Sequence, residues 1–154
     1  MASGASAPPI LHRSAARIDG GARGTQLSGT SGRASKGNEM TTQLQLGLDT
    51  FGDVTAGPDG ALKPHAQVIR DLVDQGVFAD ELGIDFFGIG EHHRADFAVS
   101  SPETVLAGIA TRTSRIRLGS AVTVLSSDDP IRVFQRFSTV DALSNGRAEV
   151  ILGR

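Results

Sequence analysis

The chain has 154 residues, 39% of them hydrophobic, which suffices for one domain with a buried core. Its 15 Lys and Arg stand against 17 Asp and Glu, and a net charge of -2 gives no basis for a nucleic-acid or anionic-membrane partner. The absence of cysteine excludes disulfides, thiolate metal sites and a cysteine nucleophile and suits a cytoplasmic protein; no apolar run nears the ~20 residues of a membrane-spanning helix.

Residues 1–39 differ from the rest. Gly, Ala and Ser dominate, and the large apolar residues (Ile10, Leu11, Ile18, Leu27) follow no pattern, so this stretch cannot bury enough surface to offset its ordering entropy. It is expected to be a disordered extension, rich in Gly, Ala, Ser and Arg, ahead of a natural start at Met40 and a domain over 40–154. Arg13, Arg17, Arg23, Arg33 and Lys36 outnumber Asp19 and Glu39, a balance loosely like a transit peptide, though without helical spacing.

From Met40 the pattern is regular. Leu44 to Phe51 reads as a first strand, with Leu44, Leu46 and Leu48 alternating, closed by the Gly- and Asp-rich loop Gly52 to Gly60. Lys63 to Leu82 reads as a first helix opened by Pro64, with Val68, Ile69, Leu72, Val73, Ala79 and Leu82 along one side. Ile84 to Ile89, between Gly83 and Gly90, is too short for a helix and reads as a strand buried on both faces.

That strand delivers Glu91, His92 and His93. In parallel α/β folds the loops at the carboxyl ends of the strands gather on one face and carry the site. A carboxylate and two imidazoles at such an exit are candidates for proton transfer or metal binding. Neighbouring side chains on an extended segment diverge, so the two imidazoles are poorly placed to share one metal, and no further His follows; no metal site is expected, and a metal-dependent hydrolase is the weaker competing chemistry.

Ser101-Pro102-Glu103 signals a second helix, with Ser101 as capping hydroxyl and Val105, Leu106, Ile109 and Ala110 as its buried stripe. Ile116 to Val124 is the third strand. Asp128 and Asp129 are expected to cap a third helix that starts at Pro130 and stops at Asn145-Gly146, with Phe134 and Phe137 in the core by spacing. Arg112, Arg115 and Arg117 read as a solvated face. Ala148 to Leu152 is the fourth strand. Strand starts near 44, 84, 116 and 148 give a βαβ repeat and predict four parallel strands with three helices outside, a sheet left with two open edges.

The ordered set of Gly90-Glu91-His92-His93, Ser101-Pro102-Glu103, Arg112 to Val122, Asp129 to Val133, Leu143 to Arg147 and Gly153-Arg154 resembles the luciferase-like, flavin-dependent monooxygenases, over Leu44 to Arg154. The resemblance implies the first four strands and three helices of a TIM-type (β/α)8 barrel about twice as long. It implies reduced FMN, supplied by a separate reductase, at the carboxyl ends of the strands, and oxidation of an organic small molecule by O2 through a flavin peroxide. By the same resemblance His92 is a general acid or base near the flavin, with Glu91 catalytic or orienting beside it. Ala121, Val122 and Thr123 support the ring at a bulge that often holds a non-proline cis peptide, and Arg154 reaches the FMN phosphate. Pairing through helices 102–113 and 130–143 is also implied. One wall of a site is expected to hold FMN weakly on its own, and a non-catalytic remnant or flavin-binding or pairing module is the alternative to an enzyme.

Overall fold

The computed structural model describes residues 44–153; the expected disordered extension, Met40 and Arg154 lie outside the described residues. The elements run β1 (Gly47–Thr50), α1 (His65–Glu81), β2 (Phe86–Ile89), α2 (Pro102–Ala110), β3 (Arg117–Val124), α3 (Pro130–Ser144) and β4 (Ala148–Gly153). The strands form one sheet in the order β1-β2-β3-β4. Every pairing is parallel, with Thr50 opposite Ile89 and Ile89 opposite Ser120, so the carboxyl ends of β1 and β2 lie level along one rim. This is the expected partial barrel, with β1 and β4 at the two edges of the sheet among the described residues.

Side-chain alternation divides the sheet. Phe87, Ile89 and Leu118 are fully buried against Leu72 of α1, Leu106 and Ile109 of α2 and Phe137 of α3. Phe86 and Arg117 alternate to the other, concave face. There the Arg117 guanidinium donates to Glu149 (2.6 Å) and Gln45 (2.8 Å) at the floor of an open concavity of about 620 Å³, also lined by Phe86 and Ile151. The sequence expectations of a strand buried on both faces at 84–89, and of Arg117 in a solvated face, are therefore corrected: Phe86 is half-buried on the concave side and Arg117 is paired within it.

The first strand is shorter than its leucine alternation suggested. Leu44 and Leu46 are 69% and 50% exposed: among the described residues β1 pairs with β2 alone, and that pairing begins at Gly47. The Leu46 carbonyl accepts the N–H groups of Asp85 and Phe86 just ahead of it. Helix starts follow local chemistry with two corrections. Asp129 accepts the Ile131 N–H and caps α3, whereas Asp128 turns to an ion pair with Arg136. Ser101 caps no backbone N–H; its hydroxyl donates to Glu103 and meets Thr104 instead. α2 ends at Ala110, short of Thr113. The stop at Asn145-Gly146 holds, both residues taking left-handed φ (57° and 82°). Phe134 is 73% exposed, not core: the buried stripe of α3 is Val133, Phe137, Val140 and Ser144, and Phe134 falls beside it. Leu82 and Leu143 are likewise open, at the last turns of their helices.

Candidate active site

At the rim, the loops that leave β1 and β2 are laced together. Thr50 Oγ1 accepts the Gly52 N–H (3.2 Å), and Gly52, at φ 72°, turns the chain so that its carbonyl accepts the Ala98 N–H (2.8 Å). Asp53 bridges Phe97 in antiparallel fashion, and the Val54 N–H donates to the Asp96 carbonyl (2.9 Å). Phe51 and Phe97 are thereby brought together edge to face, with centroids 6.2 Å apart, and both rings meet His92 at that corner. The imidazole stacks on Phe51, with centroids 4.3 Å apart and planes at 29°, and lies tilted against Phe97 at 4.7 Å. The Arg94 guanidinium sits 5.7 Å from the Phe97 centroid. His92 remains exposed as a whole residue, so the ring is held yet open to the mouth. Gly90 makes room for this: a Cβ there would fall 2.4 Å from the Phe51 ring and 2.5 Å from the Ala121 carbonyl oxygen.

The end of β3 forms the neighbouring wall. The Ala121–Val122 peptide is cis, at the bond the resemblance singled out, and the β3–β4 register shifts between Ala121 and Thr123. A Cβ on Gly153 would sit 2.4 Å from a Val122 methyl, so that glycine lets β4 close on the bulge. Ala121 and Val122 are half-buried, while Thr123 is 5% exposed. Glu91 ties the two strand ends together. Its side chain is 9% exposed, one carboxylate oxygen accepts the Val124 N–H (3.2 Å), and the same oxygen lies 3.9 Å from His93 Nε2. His92 and His93 diverge, the first to the phenylalanines and the second to Glu91.

Arg112 pairs with Asp74 in the open, and the Arg115 guanidinium donates to the Asp80 carbonyl. No three His, Asp or Glu side chains cluster as metal ligands among the described residues. Sequence reasoning missed Phe51 and Phe97 as companions of His92. Their signal was faint: Phe51 just past the end of β1 and Phe97 within the loop between β2 and α2, in a chain whose aromatic content is 5%. It also missed the task of Arg147. This guanidinium donates to the carbonyls of Ala110, Thr113, Ile116 and Ser144 and to the Thr113 hydroxyl, closing the end of α2 and the entry to β3.

Residues 49–154 match the family model described as luciferase-like monooxygenase. Among curated proteins the chain is similar to 4-hydroxyprotoasukamycin monooxygenase of Streptomyces nodosus subsp. asukaensis, 37% identical over 58% of this chain and 24% of that one. Among solved structures it is similar to apo-MsnO8, at TM-score 0.64 and 33% identity over 71% of this chain and 32% of that one. The oxygenating constituent of 3,6-diketocamphane monooxygenase from Pseudomonas putida, solved in complex with FMN, shares the fold at TM-score 0.56 and 23% identity, over 59% of this chain and 25% of that one. The chain spans less than a third of the length of the relatives it matches.

Proposed function

Because the chain belongs to the luciferase-like monooxygenase family, we propose that it supplies the first wall of an FMN-dependent oxidoreductase that oxidises a small organic substrate with O2. The observation that carries this reading is the meeting of His92 with the cis Ala121–Val122 bulge at one rim, through Phe51 and Gly90. The residues fit the cofactor's needs. A planar ring system wants a mostly apolar surface, which Ala121 and Val122 offer, with the Thr123 backbone continuing it. Reduced FMN, delivered by a separate reductase, supplies the electrons that divide O2 between substrate and water.

This chain's own residues then have distinct tasks. His92 is the proton carrier, its ring exposed at the mouth. Glu91 orients: its carboxylate is committed to the Val124 N–H. Arg154, outside the described residues, is the candidate for the FMN phosphate by resemblance, as a planar, permanently charged fork suits that partner. Exposed Ile131 and Phe134 on α3 support homodimer pairing through 102–113 and 130–143. The cysteine-free composition supports a cytoplasmic location. Among the described residues no helix is long and apolar enough to cross a membrane.

The test uses the full-length protein that carries this chain. With reduced FMN and 18O2 it should place 18O in a product from a panel of small organic substrates. His92→Ala should lower kcat by roughly 10²–10⁴-fold, as loss of a general acid or base does, while FMN affinity stays within a few-fold. Failure of the full-length protein to bind FMN overturns the cofactor reading. Unchanged turnover in the variant removes His92 from the mechanism.

A further inference from the structure

The His92 ring has an unusual setting for a group assigned to proton transfer. Among the described residues it makes no hydrogen bond through either ring nitrogen, and what touches it is aromatic: Phe51 on a face and Phe97 at a tilt. The other two described histidines are held differently. His65 contacts the Ala95 carbonyl through Nε2 (3.0 Å), and His93 approaches Glu91. We propose that Phe51 and Phe97 are positioning residues, an aromatic holder made of two rings that meet edge to face and form a corner against the imidazole, fixing the His92 rotamer while leaving both imidazole nitrogens free; this rests on the reading of His92 as the proton carrier.

The physical logic is one of competing demands. An imidazole held by a hydrogen bond has one nitrogen committed, and the bond selects its tautomer. Stacking restrains the ring through its face and consumes neither nitrogen. An exposed side chain with no partner would sample its staggered rotamers freely and seldom present one geometry. The holder resolves both demands, and the backbone around it is built accordingly. The Gly52–Ala98 and Val54–Asp96 hydrogen bonds and the Asp53–Phe97 bridge hold the two rings against each other from separate loops. Gly90 leaves the space that the Phe51 ring fills, and Arg94 rests against Phe97 from outside. The Ala95 carbonyl, taken by His65 at the start of α1, anchors the same loop from a third side.

The holder is tested on the imidazole itself, without flavin, by NMR of the isotope-labelled chain. The His92 α–β proton couplings should report one χ1 rotamer, and its ring protons should lie upfield of those of His65 and His93 because of the Phe51 ring current. Phe51→Leu, which keeps apolar bulk and removes the stacking face, should average the couplings toward those of a free side chain; Phe51→Tyr should restore the single rotamer. Phe97→Leu removes the other ring of the corner and gives a second measurement should the first variant fold poorly, with backbone amide shifts over β2 and β3 as the control for an intact rim. Rotamer averaging in the unmodified chain, or a single rotamer that survives in both leucine variants, overturns the proposal. Because no cofactor enters, either result stands apart from whether the full-length protein binds FMN.

Discussion

Glu91 sits next to the proposed proton carrier yet directs its charge elsewhere. β2 stops pairing at Ile89 opposite Ser120, while β3 runs on to Val124, so the edge of β3 beyond Ser120 lacks a strand on that side. The Glu91 carboxylate stands in for the missing strand by accepting the Val124 N–H. This separates two roles by experiment. Glu91→Gln keeps an acceptor oxygen and should leave stability and turnover close to those of the parent, whereas Glu91→Ala orphans the donor and should cost about 1–3 kcal/mol, read from urea midpoints. A Gln variant as inactive as the Ala variant would make Glu91 a proton carrier instead. The divergence of His92 from His93 was legible beforehand, since it follows from the alternation of an extended chain. The Phe51 contact was not. It depends on two loops meeting, and no local pattern encodes the lacing between Gly52 and Ala98.

At the scale of elements, strands and helices were readable where their punctuation is local: Pro64 before α1, Asp129-Pro130 before α3, Asn145-Gly146 after it. What joins one element to the next was less visible. Asp80, near the end of α1 and 8% exposed, accepts the N–H groups of Ser114 (3.2 Å), Arg115 (3.0 Å) and Ile116 (2.7 Å), and so fixes the turn that feeds β3. In sequence it is only one more acid at the end of a helix, and its partners lie 34 to 36 positions away. Burial by itself would push its carboxyl up. The three backbone donors and the Arg115 charge outweigh that and hold it below the ordinary range. A folded-state value below the unfolded one means that the carboxylate stabilises the fold above the ordinary carboxyl range of about 4 and that this contribution is lost as pH falls through the lowered value. Asp80→Ala should therefore destabilise the chain by on the order of 3 kcal/mol at neutral pH, and the gap between parent and variant should narrow in acid. Urea titrations at neutral and acidic pH check this; a gap that widens in acid would mean that the carboxylate is not the stabilising form.

For the whole molecule, the proposed homodimer raises the question of which exposed apolar surface would meet a second copy. Two sets compete. On α3, Ile131 and Phe134 lie one turn apart and are 66% and 73% exposed. On β4, Val150, Ile151 and Leu152 are 41%, 43% and 55% exposed along a strand whose described pairing is to β3 alone. The repeat of βα units made the open sheet legible from the sequence, but Phe134 was assigned to the core because helical spacing alone does not say how wide the buried stripe is. Its exposure changes its meaning: a phenylalanine off the core stripe would be available for the proposed α2–α3 pairing. Contact there would bury helix faces, whereas contact at β4 would extend the sheet along its outer edge, a route to open-ended association. Phe134→Glu distinguishes them. The side chain touches solvent and not the core, so thermal stability of the monomer should hold to within about 0.5 kcal/mol, as for an ordinary surface change, while a closed dimer in sedimentation should shift to monomer. Persistence of the same assembly in Phe134→Glu, together with its loss on charging Val150 or Leu152, would move the interface to the strand edge and sink the helix pairing.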